Sequence, residues 1–199
     1  GLQVQQPQRQ ECLRLRRELQ RLTLMHFDFS KNHFELFGLP ERFDIDTAEL
    51  AGRYRELQRR FHPDRFAAAS ESDRRRSVQM TAEINAAYQA LRDPVARGRY
   101  LLELRGVAMH ADTDTRMEPA FLMQQMELRE ALAETRAVAD RSARLARLQR
   151  QVEELMEQKV AALRRHLAAG GGDGNAAARN AVREMQFLQK LAHEIEELE

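Results

Sequence analysis

Residues 46–66 read DTAELAGRYRELQRRFHPDRF. Asp46, with Glu49 three residues later, reads as a capping box that opens a helix. Behind it Leu50, Tyr54, Leu57 and Phe61 recur every three or four residues, which is one buried helical stripe. Pro63 cannot continue that helix, so His62-Pro63-Asp64 falls in a loop. At about 100° per residue, Arg55 and Arg59 point directly away from the stripe, with Arg53 and Arg60 flanking it. The segment therefore predicts an amphipathic helix, basic on its outer face, that stops at a His-Pro-Asp loop.

On the N-terminal side, Phe34, Leu36, Phe37 and Leu39 form a turn or two of helix closed by Pro40. On the C-terminal side the loop runs to about Ser70. A third helix then carries Met80, Ile84, Ala87, Tyr88 and Leu91 on one face. Asp93-Pro94 is an N-cap followed by a first-turn proline. It opens a short helix with Tyr100, Leu101 and Leu104, which Gly106 ends. These elements make a first domain of residues 31–106.

Residues 107–118 lack periodicity and read as a linker. Pro119 starts a helix over 119–136, followed by a long helix near 140–168 with Leu145, Leu148, Val152, Leu155, Leu163 and Leu167 close to heptad spacing. The run Gly170-Gly171-Gly172-Asp173-Gly174 is expected to be a turn outside any helix. A last helix, about 175–198, turns Ala181, Leu188, Leu191 and Ile195 inward. Short connections imply an antiparallel three-helix bundle, making 119–199 a second domain. The fold class is all-α.

Composition agrees. The chain has 199 residues, with 32 Lys+Arg against 31 Asp+Glu and a net charge of +1, which excludes polyanion binding by bulk charge alone. No stretch approaches the ~20 apolar residues of a membrane span. The single Cys12 excludes an internal disulfide and a Cys-based metal cluster, and fits a reducing compartment. Residues 13–24 carry Leu13, Leu15, Leu19, Leu22 and Leu24 among Arg14, Arg16, Arg17 and Arg21, a pattern open to a short basic amphipathic helix or a transit peptide, though Glu18 and the lack of serine count against the latter. Met25 is read as the true start, and residues 1–30 as an extension outside the fold. His110, His166 and His193 are scattered singly and read as surface residues rather than ligands.

Two other functions could use the basic helix and its loop. An enzyme would use His62 as a base oriented by Asp64. Pro63 between them makes their mutual hydrogen bond awkward, and no nucleophile accompanies them. A nucleic-acid binder would need aromatics among the arginines, and a pI above the ≈ 8.2 of this sequence. The plain alternative for the arginines is a solvated helix face.

The joint pattern is more specific than any part. Phe34-Glu35-Leu36-Phe37-Gly38-Leu39-Pro40, Tyr54-Arg55-Glu56-Leu57, His62-Pro63-Asp64-Arg65-Phe66 and Ile84-Asn85-Ala86-Ala87-Tyr88 resemble a J-domain, the co-chaperone module that activates DnaK-type ATPases. Arg99-Tyr100-Leu101-Leu102 and Phe121-Leu122-Met123-Gln124-Gln125-Met126-Glu127-Leu128-Arg129-Glu130 are similar to the HscB co-chaperones of iron–sulfur cluster assembly. The Gly/Phe-rich and zinc-binding segments of general-client J-proteins do not follow the domain. Cys12 alone cannot supply the N-terminal metal-binding cysteine set of some eukaryotic members.

The resemblance implies a non-enzymatic co-chaperone of the bacterial cytoplasm. It implies two protein partners, the chaperone HscA and the scaffold IscU, with no nucleic acid, membrane or cofactor. ATP and the cluster would belong to the partners, and the chain would act as a monomer. A J-domain serving a different client is the alternative. Arg55 and Arg59 would meet an acidic chaperone surface, while His62 and Asp64 would engage the seam between nucleotide domain and linker, with Pro63 holding the loop shape.

The second domain carries its own geometric clue. On helix 119–136, Phe121, Gln125, Leu128 and Leu132 share the face suited to the bundle core. Leu122, Met123 and Met126 lie on another face with Glu127, Glu130 and Glu134. That apolar trio is surplus to the core, so it either packs on the first domain or linker or forms a partner surface. The resemblance places scaffold contacts at these positions and at Phe187.

Overall fold

The structure, a computed structural model, describes Glu11, Leu15 and residues 27–109, 118–135 and 141–198. Among the described residues the regular structure is helical throughout: α1 (His33–Leu36), α2 (Thr47–Phe61), a 3-10 turn (Pro63–Phe66), α3 (Glu71–Arg92), α4 (Pro94–Leu104), α5 (Pro119–Thr135), α6 (Arg141–Ala169) and α7 (Gly171–Glu196). Two compact units result, Gly1–Glu41 with Ile45–Arg92, and Arg42–Asp44 with Asp93–Glu199. Of the leucine- and arginine-rich stretch 13–24 only Leu15 is among the described residues, and most of the 107–118 linker lies outside them.

In the first unit α1 and α2 pack on α3. Asn32 starts α1 with a complete capping box, accepting from Glu35 N while Glu35 bonds back to Asn32 N, both at 2.9 Å. At α2 only half of the expected box forms. Asp46 accepts from Ala48 N and Glu49 N, but the Glu49 carboxylate turns to Arg53. Arg53 in turn donates to the carbonyls of Phe37, at 2.5 Å, and Gly38, at 2.8 Å. It is therefore a clamp on the α1–α2 loop, not a flank of the outer basic face. Gly38 has φ +61°, a conformation that favours glycine, and a Cβ there would lie 2.5 Å from that guanidinium and push it off the carbonyls it holds.

The core of this unit is Phe34, Leu50, Phe61, Phe66, Met80, Ile84, Ala87 and Leu91, all buried. Tyr54 and Leu57 of the predicted stripe are half-buried. Tyr54 stacks on Tyr88 with ring centroids 4.0 Å apart, and its hydroxyl donates to Asn85 Oδ1 at 2.9 Å. Phe27 corrects the expected boundary at residue 30. It is buried and meets the Phe61 ring edge-on, centroids 5.2 Å apart. One aromatic ring without a period has no sequence signature, but burying it stabilises the domain by about 2 kcal/mol.

The second unit corrects two further expectations. Helix α4, read as the end of the first domain, packs instead on α6 and α7. Its buried Val95, Leu101 and Leu102 were legible as a stripe, but a stripe does not name the surface it covers. Gly98 allows the close approach, since a Cβ there would fall 2.6 Å from Leu163 Cδ2. The glycine-rich run is also not a five-residue turn. Gly170 and Gly171, at φ +63° and +68°, reverse the chain, and α7 opens directly from Gly171. Gly174 sits within the helix, where a Cβ would come 3.0 Å from the His166 carbonyl. The three long helices share a core of Leu128, Leu132, Leu145, Leu148, Val152, Leu188, Leu191 and Ile195.

Loop 42–44 completes this unit. Arg97 lies over the Phe43 ring at 5.0 Å, and Arg164 Nε donates to Asp44 Oδ1 at 2.8 Å. Burial pulls the Arg97 guanidinium below its usual range, and Asp93 and Asp44 oppose that shift.

Candidate partner-binding surfaces

The His-Pro-Asp loop is pinned from both sides. Phe61 before it and Phe66 after it are buried in the α2–α3 core, so the residues between them cannot retreat inward. Pro63 is the first residue of the 3-10 turn, where its missing N–H leaves no gap. The last carbonyls of α2 lack helical partners. Arg65 Nη1 donates to the Arg59 carbonyl at 3.1 Å, and Thr81 Oγ1 lies 3.1 Å from the Phe61 carbonyl.

Within this frame His62 is half-exposed, and the Asp64 side chain is 91% exposed. His62 Nδ1 accepts from the Asp64 backbone N–H at 3.3 Å. A ring that accepts at Nδ1 carries its proton on Nε2, and that tautomer is assigned from the hydrogen bond. The Asp64 carboxylate, 3.5 Å from the same nitrogen, stays open to solvent. The pair thus presents a donor and an anion outward. It does not form the aligned base and orienter that hydrolytic chemistry uses.

Arg55 and Arg59 lie on the exposed side of α2, as their angular position predicts, and Arg60 is exposed beside them over the Phe61 ring. This face runs directly into the loop, so one partner surface can engage both.

In the second unit Leu122, Met123 and Met126 are 44%, 64% and 71% exposed. Phe121, Leu128 and Leu132 are buried on the opposite side of α5. Glu127, Glu130 and Glu134 are exposed on the same outer side as the trio. Phe187 is half-buried, meets Phe121 edge-on at 5.9 Å and lies under Arg129 at 5.5 Å. The predicted cluster is therefore brought together on one side of the unit, with Phe187 at its margin.

Two groups escaped the sequence reading. Beside Met123 a shallow hollow is lined by Glu118, Phe121, Gln124, Glu127 and Lys159. Lys159 reaches it from α6, 2.6 Å from the buried Glu184 and 5.2 Å above the Phe121 ring. The available signal was Glu184 itself, an acid three residues after Ala181 and four before Leu188 on an apolar stripe. Thr81 left no signal, because a hydroxyl on a half-buried helix position is ordinary. Among the described residues no group of three or more His, Cys, Asp or Glu gathers as a metal site would need, and no helix is long and apolar enough to cross a membrane.

These surfaces can be set beside known proteins. Residues 32–100 match the family described as DnaJ domain, and residues 117–196 match HSCB C-terminal oligomerisation domain. The co-chaperone protein HscB homolog of Vibrio cholerae is 45% identical over 168 residues, spanning 84% of this chain and 96% of that protein. The solved structure of chaperone HscB from Vibrio cholerae aligns with a TM-score of 0.74 at 43% identity, over 84% of this chain and 97% of that one. The crystal structure of human co-chaperone protein HscB aligns with a TM-score of 0.78 at 28% identity, over 86% and 84% of the two chains.

Proposed function

The chain belongs to the HscB family of J-domain co-chaperones, and from that premise we propose that it carries an iron–sulfur scaffold protein of the IscU type to the DnaK-type chaperone HscA and stimulates the chaperone's ATPase. The outcome is cluster transfer and maturation of iron–sulfur proteins in the bacterial cytoplasm. The chain supplies binding energy and no bond-making chemistry. ATP and the cluster remain with the partners.

The observation that carries this reading is the exposure of Leu122, Met123 and Met126 beside three carboxylates, on the side of α5 opposite its core. Contiguous exposed apolar side chains rimmed by polar ones mark protein-binding surfaces. Methionine adapts its shape to a partner at little cost. On the first unit, the arginines of α2 steer an acidic chaperone surface into contact. His62 and Asp64 then bind the hydrolysis-competent chaperone better than the resting one, which is what shifts its population. Asp64, with its carboxylate exposed to solvent, suits a guanidinium of the chaperone.

The deciding experiment is a pull-down with purified IscU and HscA together, followed by steady-state ATPase assays. Capture of both partners and a stimulation larger with IscU than without it support the proposal. Stimulation without any IscU binding assigns the chain to another client. Sedimentation velocity on the free protein tests its action as a monomer.

A further inference from the structure

We infer that Thr81 of α3 is a positioning residue for the His-Pro-Asp loop, its hydroxyl holding the terminal α2 carbonyl at Phe61 so that the loop is pre-set for docking. This rests on the proposed role of that loop in stimulating a chaperone ATPase.

The end of α2 leaves an acceptor to be satisfied. In a continuing helix the Phe61 carbonyl would receive the N–H of Arg65. That N–H goes instead to the His62 carbonyl at 3.0 Å, because Pro63 ends the α-helix and a 3-10 turn follows. The Phe61 carbonyl is thereby left without its helical donor, one residue before His62. Thr81 Oγ1 lies 3.1 Å from it, and 2.9 Å from the Ser77 carbonyl one turn back on α3. A hydroxyl has one proton to give. The Ser77 carbonyl lies inside α3, where the helical ladder supplies a backbone donor, so the hydroxyl is surplus there. At Phe61 the same proton satisfies an orphan acceptor. The bond also crosses between helices twenty residues apart in sequence. It ties the residue before the loop to α3, which the Tyr54–Tyr88 stack already fixes against α2.

Without that tie the loop would populate conformers that cannot dock. The apparent affinity of the co-chaperone would fall by the competent fraction, while the saturated complex would be unchanged. The test uses the full chain and purified HscA with ATP. Thr81→Val keeps the branched shape and removes the donor, and Thr81→Ser keeps the donor. The expected result for Thr81→Val is a half-stimulating concentration raised about threefold to tenfold, with wild-type maximal stimulation. Thr81→Ser should return it to the wild-type value. In hydrogen exchange on the free protein, the amides of Arg65 and Ala67, which hold the 3-10 turn, should exchange faster in Thr81→Val while core amides of α2 and α3 do not. Uniform acceleration of all amides, with the half-stimulating concentration unchanged at a temperature where the variant is folded, would reduce Thr81 to a structural residue and overturn the inference. Failure of wild type itself to stimulate would remove the proposed function, and the inference with it. Wild-type stimulation with Thr81→Val indistinguishable from it would overturn the inference alone.

Discussion

Lys159 Nζ lies 2.6 Å from Glu184 Oε2, joining α6 to α7, and Lys159 also lines the hollow next to Met123. Glu184 is buried and Lys159 three-quarters so, which makes this pair costly to break and inexpensive to replace as a whole. Glu184→Ala is expected to lower stability by about 1–3 kcal/mol, discounted because Lys159 keeps some solvent. Changing both residues to apolar ones of similar size should recover most of that. A double-mutant cycle followed by denaturant unfolding checks it, and additive single effects would show that the two charges do not interact.

His62→Gln is expected to abolish stimulation of the chaperone ATPase. The side chain is half-exposed and outside the core, so the melting midpoint should move by no more than ~0.5 kcal/mol of stability allows. Full stimulation by the folded variant would contradict the assigned role of the loop.

Charge reversal at Arg55 and Arg59 should slow association with the chaperone and flatten its dependence on salt. Both side chains are exposed on α2, where they act by steering rather than by buried contact. Stopped-flow rates that retain the wild-type salt slope would rule out steering.

The triple change of Leu122, Met123 and Met126 to Ala should weaken scaffold binding by tens-fold or more. Central anchors of such a patch cost ~1–2 kcal/mol apiece on truncation. The bundle should melt as wild type, because all three side chains are exposed, and stimulation measured without the scaffold should be intact. Calorimetry and thermal unfolding on the same sample separate these outcomes. A large drop in melting temperature with normal binding would assign the trio to folding instead.

Phe27→Ala should cost about 3 kcal/mol, in the range for a buried aromatic removed from a core, since Phe27 packs on Phe61 immediately before the loop. A shortened chain beginning at Asp28 should lose a similar amount. Chemical unfolding with an unchanged midpoint would return residue 27 to the extension outside the fold.

What residue order alone determined here was local and periodic. The Leu50–Phe61 stripe, the Asp93 cap, the break at Pro63 and the outward aim of Arg55, Arg59, Leu122, Met123 and Met126 all follow from about 100° per residue and from backbone chemistry. The helices and both candidate surfaces were therefore legible. The pairing of helices was not. Helix α4 has an apolar stripe that any complementary surface could cover, and only three-dimensional packing, with Gly98 against Leu163, assigns it to the second unit. The same holds for Phe27, Arg53, Thr81 and the Lys159–Glu184 pair. Each makes its decisive contact through a side chain that meets residues distant in sequence. Periodicity records which way a residue faces on its own helix, and it carries no information about what stands opposite.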